Sequence, residues 1–198
     1  MKIGLYGGTF DPIHMGHLIV MENTLNFMDL DKIIVLPSSN PPHKQNKKKT
    51  ATNIRVEMVK AAIKDNKKLE LSTFESNDDS VVYTHQTLDY FKNKYPSDEI
   101  YYIMGEDSFM TIDSWRNYEK ILNDNLIVFA RTNIEEDSDL IKKVDLIKKD
   151  NPNIYLIDNL NINISSTLIR DLVKNNKSIK YLVPDSVGEL IKEYGLYV

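Results

Sequence analysis

Two histidines three residues apart, His14 and His17, follow the run Gly7-Gly8-Thr9-Phe10-Asp11-Pro12-Ile13 and precede an apolar stretch. On a helical turn that spacing puts both imidazoles on one face. Near a helix start the face lies beside unpaired backbone N–H groups and the positive end of the dipole, a setting that suits phosphate oxygens. A second group of the same character stands near the far end of the chain: the hydroxyls of Ser165, Ser166 and Thr167 at a predicted helix start, with Arg170 one turn further in. Such hydroxyls commonly serve as N-caps, and a capped N-terminus with a forked guanidinium also makes a cradle for phosphate. By spacing alone a His-x-x-His pair reads more often as two surface or capping histidines, so its neighbours must decide.

Other chemistries are set aside by what is missing. The chain of 198 residues has no cysteine, which removes disulfides, thiolate nucleophiles and thiolate-bound zinc, and points to a reducing, cytoplasmic setting. A zinc site built on His14 and His17 would need further ligands, and only His43 and His85 remain as imidazoles. There is no glycine-lysine phosphate loop and no His-Glu-x-x-His helix, and Gly4, Gly7 and Gly8 lack the dinucleotide spacing of NAD-dependent dehydrogenases. A net charge of −4 argues against a general nucleic-acid or membrane-surface binder, so any polyanion contact must be local. Arginine occurs only at positions 55, 116, 131 and 170, against 21 lysines. Where it is used, arginine reads as chosen for its fork; Arg55 alone has no motif around it and reads as a surface residue.

The elements that must position these groups alternate. Residues 2–6 have the apolar density of a buried strand, Gly7-Gly8 reads as a sharp hinge, and residues 18–27 as an amphipathic helix. Residues 32–37 give a second strand ended by Pro37, and 38–53 a long loop carrying Pro41-Pro42-His43-Lys44. A helix capped by Thr52 or Asn53 runs to about Lys64, and 69–71 is a short strand. Thr84 caps a helix stopped by Pro96; strands at 100–105, 126–130 and 154–157 follow, with helices at 135–149, 165–174 and 184–194. Strands alternating with helices predict an α/β fold with one doubly wound parallel sheet covered on both faces, in a single domain whose C-terminal part, from about 165 to 198, is helical. Ligands of such sheets gather at the carboxyl ends of the strands. No stretch reaches the ~20 apolar residues of a membrane span, and the chain reads as mature and soluble.

On these residues the chain resembles a known family. Gly7-Gly8-Thr9-Phe10-Asp11-Pro12-Ile13-His14-Met15-Gly16-His17 is similar to the T/HxGH signature of the nucleotidyltransferase superfamily, in the long form of nicotinate-nucleotide adenylyltransferases. Ser38-Ser39-Asn40-Pro41-Pro42-His43-Lys44 resembles that family's Pro-Pro-His loop, Tyr83-Thr84-His85-Gln86-Thr87-Leu88 its YTxxTL element, and Gly105-Glu106-Asp107 through Trp115 its GxD…W element. Ile164-Ser165-Ser166-Thr167-Leu168-Ile169-Arg170 is similar to its ISSTxIR motif, and Tyr194-Gly195-Leu196-Tyr197 to its ending. Arg116 stands where the family's pattern leads one to expect an aromatic.

The resemblance implies a Rossmann-like nucleotidyltransferase fold and an adenylyl transfer, in which the phosphate of nicotinate mononucleotide attacks the α-phosphorus of ATP and pyrophosphate leaves. It implies Mg²⁺ carried by ATP, no nucleic-acid or membrane partner, and a possible homodimer. By the same resemblance His14, His17 and Arg170 are catalytic and bind ATP together with Gly7, Gly8, Thr9, Phe10, Gly105, Asp107, Ser165 and Ser166. Ser39, Asn40, Lys44, Tyr83, Thr84, Trp115 and Arg131 would bind the mononucleotide, with Trp115 stacked on the pyridine ring and Thr84 holding its carboxylate. Asp107 reads equally as a helix cap, and a lone tryptophan is ordinarily core. The rival readings are a pantetheine-phosphate or glycerol-phosphate relative, against which the YTxxTL and GxD…W elements speak, and a non-catalytic nucleotide sensor.

Overall fold

The computed structural model describes residues 1–39, 49–77, 80–130, 139–157 and 162–198. Six strands form one wholly parallel sheet: β1 (Lys2–Gly8), β2 (Lys32–Pro37), β3 (Leu69–Leu71), β4 (Glu99–Gly105), β5 (Asn125–Phe129) and β6 (Ile154–Ile157), in the order β3-β2-β1-β4-β5-β6. The helices are α1 (Met15–Phe27), α2 (Thr52–Ile63), α3 (Thr84–Lys94), α4 (Glu106–Met110), α5 (Tyr118–Leu122), α6 (Asp139–Lys148), α7 (Ser166–Lys174) and α8 (Asp185–Glu193). A 3-10 turn, Ile112–Ser114, leads from α4 to Trp115.

Successive strand residues point to opposite faces, and both faces are buried, so the strands read as continuous apolar runs. Ile33, Val35, Ile103, Ile127 and Ile157 pack with Met21 and Leu25 of α1, Met58 and Val59 of α2, Ile169 of α7 and Val187 of α8. Ile3, Leu5, Ile34, Tyr102, Leu126 and Val128 point the other way, onto Leu88 and Phe91 of α3, Phe109 of α4, Ile121 of α5 and Val144 of α6. Gly4 lies where any Cβ would come within 2.9 Å of Ile103 and 3.0 Å of Ile33, which keeps the first core tight around β1. Among the described residues no helix is long and apolar enough to cross a membrane.

The order of the strands reverses between β1 and β4, so the crevice beyond the carboxyl ends of these two strands is where a ligand of this architecture settles. Gly8 ends β1, paired with Pro37 of β2, and Gly105 ends β4, paired with Phe129 of β5.

Some boundaries differ from those the sequence predicts. Helix α1 starts at Met15, three residues before the expected position, with His14 as its N-cap. Ala51, not Thr52 or Asn53, is the N-cap of α2, and Tyr83, not Thr84, that of α3, so Thr84 is the first helical residue. The expected hinge at Gly7-Gly8 is also displaced. Both glycines continue β1, and the chain turns at Phe10, whose φ is 48°, and at a cis Asp11–Pro12 bond. Gly8 is needed for a different reason: the Phe10 ring folds back over it, 2.8 Å from where a Cβ would stand.

Candidate active site

The loop after β1 is built inward from Phe10. Its ring, 2% exposed, lies edge-on to Tyr6 and to His17 at centroid separations of 5.8 and 5.0 Å. A ring so buried shapes the loop from within, so any part Phe10 takes in holding ATP falls to its backbone. His14 and His17 stack at 3.6 Å, and the His14 amide donates to His17 Nδ1 at 3.2 Å. With Nδ1 accepting, the neutral His17 ring carries its proton on Nε2, which makes it a donor aimed away from its own helix start. Gly16 leaves room for this arrangement, since a Cβ there would sit 3.1 Å from His14 Nδ1 and 3.6 Å from the Ile164 carbonyl.

The helix start offers fewer backbone donors than expected. The Met15 amide donates to the Leu182 carbonyl at 2.9 Å, and the amides of His17 and Leu18 to the His14 carbonyl at 2.9 and 3.3 Å. The imidazoles and the dipole therefore carry most of what this end of α1 can do for an anion.

Helix α7 comes to the same loop from more than 150 residues away in sequence. The Ser165 hydroxyl caps α7, accepting from the Leu168 amide at 3.1 Å, and the Ser166 hydroxyl donates to the Pro12 carbonyl at 2.9 Å. Arg170 donates through Nη1 to the Asp11 carbonyl at 2.7 Å and through Nη2 to Thr167 Oγ1 at 3.1 Å. The Asp11 carboxylate accepts from the Tyr197 hydroxyl at 2.7 Å and from the Thr50 amide at 3.2 Å. The two groups of residues singled out in the sequence thus share one loop, and the chain's end is tied to it. The Ser166 hydroxyl thus ties helix to loop, whereas that of Ser165 caps its own helix.

The other candidates line the neighbouring strand ends. Gly105 is the N-cap of α4, where a Cβ would crowd the Phe129 ring at 3.1 Å; Asp107 is exposed in the first turn of α4, where a carboxylate favours the helix dipole. Thr84 hydrogen-bonds the hydroxyl of buried Tyr102, whose oxygen lies 3.2 Å from where a Gly7 Cβ would be. Trp115 is half-buried and packs against the core beneath α3 and α5. Arg116, next in sequence, places its guanidinium carbon 4.9 Å from the Tyr83 ring centre, so this departure from the expected aromatic makes a cation–π contact there. Ser39 is buried, its amide donating to the Glu75 carbonyl at 2.9 Å. Asn40, Lys44 and Arg131, assigned to the mononucleotide by sequence, lie outside the described residues. Among the described residues no three His, Asp or Glu side chains gather as a metal site.

Two residues of this region escape sequence reasoning. Arg55, expected on the surface, is 1% exposed, and its fork reaches the carbonyls of Thr9 and Ser38. A signal was present: Arg55 falls on the same helical stripe as Met58 and Val59, where a charge is out of place unless it has buried partners. Glu75 is buried behind Gly7 and Ser39, and desolvation pushes its carboxyl up to about 7, against the smaller opposing effect of the Thr87 hydroxyl, which donates to Oε1 at 2.7 Å.

The geometry accords with what the chain is similar to. A cytidylyltransferase-like family model matches residues 5–172. A probable nicotinate-nucleotide adenylyltransferase of Clostridium novyi is 41% identical over 197 residues, covering 99% of this chain and 98% of the relative, and one from Clostridium tetani is 40% identical over the same span. Among solved structures, a Plasmodium falciparum nicotinic acid mononucleotide adenylyltransferase complexed with APC superposes with a TM-score of 0.79 at 25% identity, covering 99% of this chain and 96% of that one. Another structure under the same protein name, complexed with NaAD, superposes with a TM-score of 0.78. With the histidine pair and the Ser165–Arg170 group meeting on one loop at the switch point of the sheet, and relatives of this identity along its whole length, the chain belongs to the nicotinate-nucleotide adenylyltransferase family.

Proposed function

We propose that this enzyme joins the phosphate of nicotinate mononucleotide to the AMP part of MgATP, giving nicotinate adenine dinucleotide and pyrophosphate. The observation that carries the reading is the meeting of His14 and His17 with Arg170 on one loop beside the carboxyl ends of β1 and β4. In the reaction an oxygen of the mononucleotide phosphate forms a bond to the α-phosphorus as the bond from that phosphorus to the bridging oxygen breaks. The electron pair leaves on pyrophosphate, and no proton has to be removed from the nucleophile. Catalysis then consists of aligning two anions that repel each other and stabilising the charge that grows on the leaving oxygens. His17 donates from Nε2, and His14 and the Arg170 guanidinium add positive or donor character around the triphosphate; Mg²⁺ bound to ATP would supply the remaining neutralisation.

Trp115 offers a half-buried aromatic face to the pyridine ring, and Thr84, fixed by Tyr102, offers a donor to its carboxylate. A side-by-side assay of pyrophosphate release with nicotinate mononucleotide, nicotinamide mononucleotide and phosphopantetheine tests the reading. The nicotinate compound is expected to be turned over fastest; release only with phosphopantetheine, or with none of the three, would overturn it.

A further inference from the structure

Arg55 uses every donor it has. Nε donates to the Thr50 carbonyl at 2.9 Å, Nη1 to the carbonyls of Thr9 at 2.6 Å and Ser38 at 2.8 Å, and Nη2 to the Ser39 carbonyl at 3.3 Å and Thr52 Oγ1 at 3.0 Å. Five N–H groups thus meet five oxygens, from the loop after β1, the loop after β2 and the entry to α2. The charge is not left alone in the interior: Asp11 is close enough to act on it, and Asp11 in turn holds Thr50 and Tyr197. Among the described residues Lys49 is a further charge that faces it.

A buried guanidinium is an expensive way to fill space, because an apolar side chain of similar size would pack there without losing hydration. What an apolar side chain cannot do is fix two carbonyls of one loop against one of another at set angles. Arg55 Nη1 does this, bridging Thr9 to Ser38, while Nη2 takes Ser39. On the site assignment above, Thr9 belongs to the ATP side and Ser39 to the mononucleotide side.

We propose that Arg55 is a positioning residue that locks the ATP-side loop to the mononucleotide-side loop and so sets the distance between the attacking phosphate and the α-phosphorus. Lysine keeps the charge and has three donors on one atom, so it cannot span both loops. A 1 Å error in placement costs on the order of 10²-fold in rate.

The test is Arg55→Lys, with kcat and both KM values measured well below the variant's own thermal midpoint. The expected result is a loss of about 10²-fold in kcat/KM for ATP and for nicotinate mononucleotide alike. Constants within twofold of the parent, whatever happens to the midpoint, would reduce Arg55 to a structural role, and a change confined to one substrate would refute the coupling. Should Arg55→Lys fail to fold, Thr52→Val removes a single acceptor; a severalfold loss against both substrates supports the proposal, and no loss overturns it. The proposal rests on the site assignment, which fails separately: His17→Ala with unchanged ATP kinetics would remove that assignment while leaving the Arg55 result to stand as a structural effect.

Discussion

At the scale of single residues the account turns on donors whose direction is set by their neighbours. His17 accepts at Nδ1 from the His14 amide and so presents a proton at Nε2. Replacing it by alanine is expected to lower kcat about 10²- to 10³-fold, in line with the loss of one positioned donor, while the thermal midpoint moves by only a few degrees; parallel loss of activity and stability would make His17 structural. Glu75 tells a different story. Its folded-state value near 7 lies above the ordinary 4.5 of a free glutamate, so its contribution to stability is fully present below about 4.5 and is lost as pH rises through about 7. The unfolding free energy should therefore fall by up to about 3 kcal/mol between pH 5 and pH 8 on account of this group. Glu75→Gln should flatten that part of the profile and match or exceed the parent at pH 8, as denaturant titrations at the two pH values would reveal. A variant that keeps the full slope would show that Glu75 is ionised in the folded protein throughout.

Among the elements, the loop between β1 and α1 does the most with the fewest residues. Gly8→Ala would press a methyl group against the Phe10 ring, which has nowhere to move because Tyr6 and His17 flank it. A loss of about 1–3 kcal/mol and a raised KM for ATP are expected, measured by thermal unfolding and initial rates; an unchanged KM would disconnect Phe10 from the placing of His17. Much of this level could be read from the sequence: all six strands, the longer helices between them and the Ser165 cap follow from apolar runs, proline stops and hydroxyls at a helix start, whereas the five-residue α5 is too short to show a period. The turn at Phe10 could not be read so, because two adjacent glycines advertise a hinge, whereas here they give room to an aromatic ring. The burial of Arg55 was marked by its place on the stripe of Met58 and Val59; its partners were not. Its five acceptors are mostly backbone carbonyls, which every residue has and no sequence pattern marks.

For the whole molecule, the parallel sheet brings to one edge groups that the chain keeps far apart. Thr9 and Ser38 are joined by Arg55, Asp11 by Arg170 and Tyr197, and the Met15 amide by the Leu182 carbonyl. Sequence motifs announced most of the participants, while the ties that hold them needed the fold, since they run between segments separated by up to 186 residues. On the proposed function the arrangement serves one demand, that two anions be held in line without either histidine becoming a covalent carrier. The stereochemical course at the α-phosphorus tests this most directly, using ATP made chiral there by sulfur substitution, with nicotinate mononucleotide as acceptor. A single direct displacement predicts inversion of configuration in the dinucleotide product; retention would mean that the adenylyl group first passes to the protein, and would contradict the account.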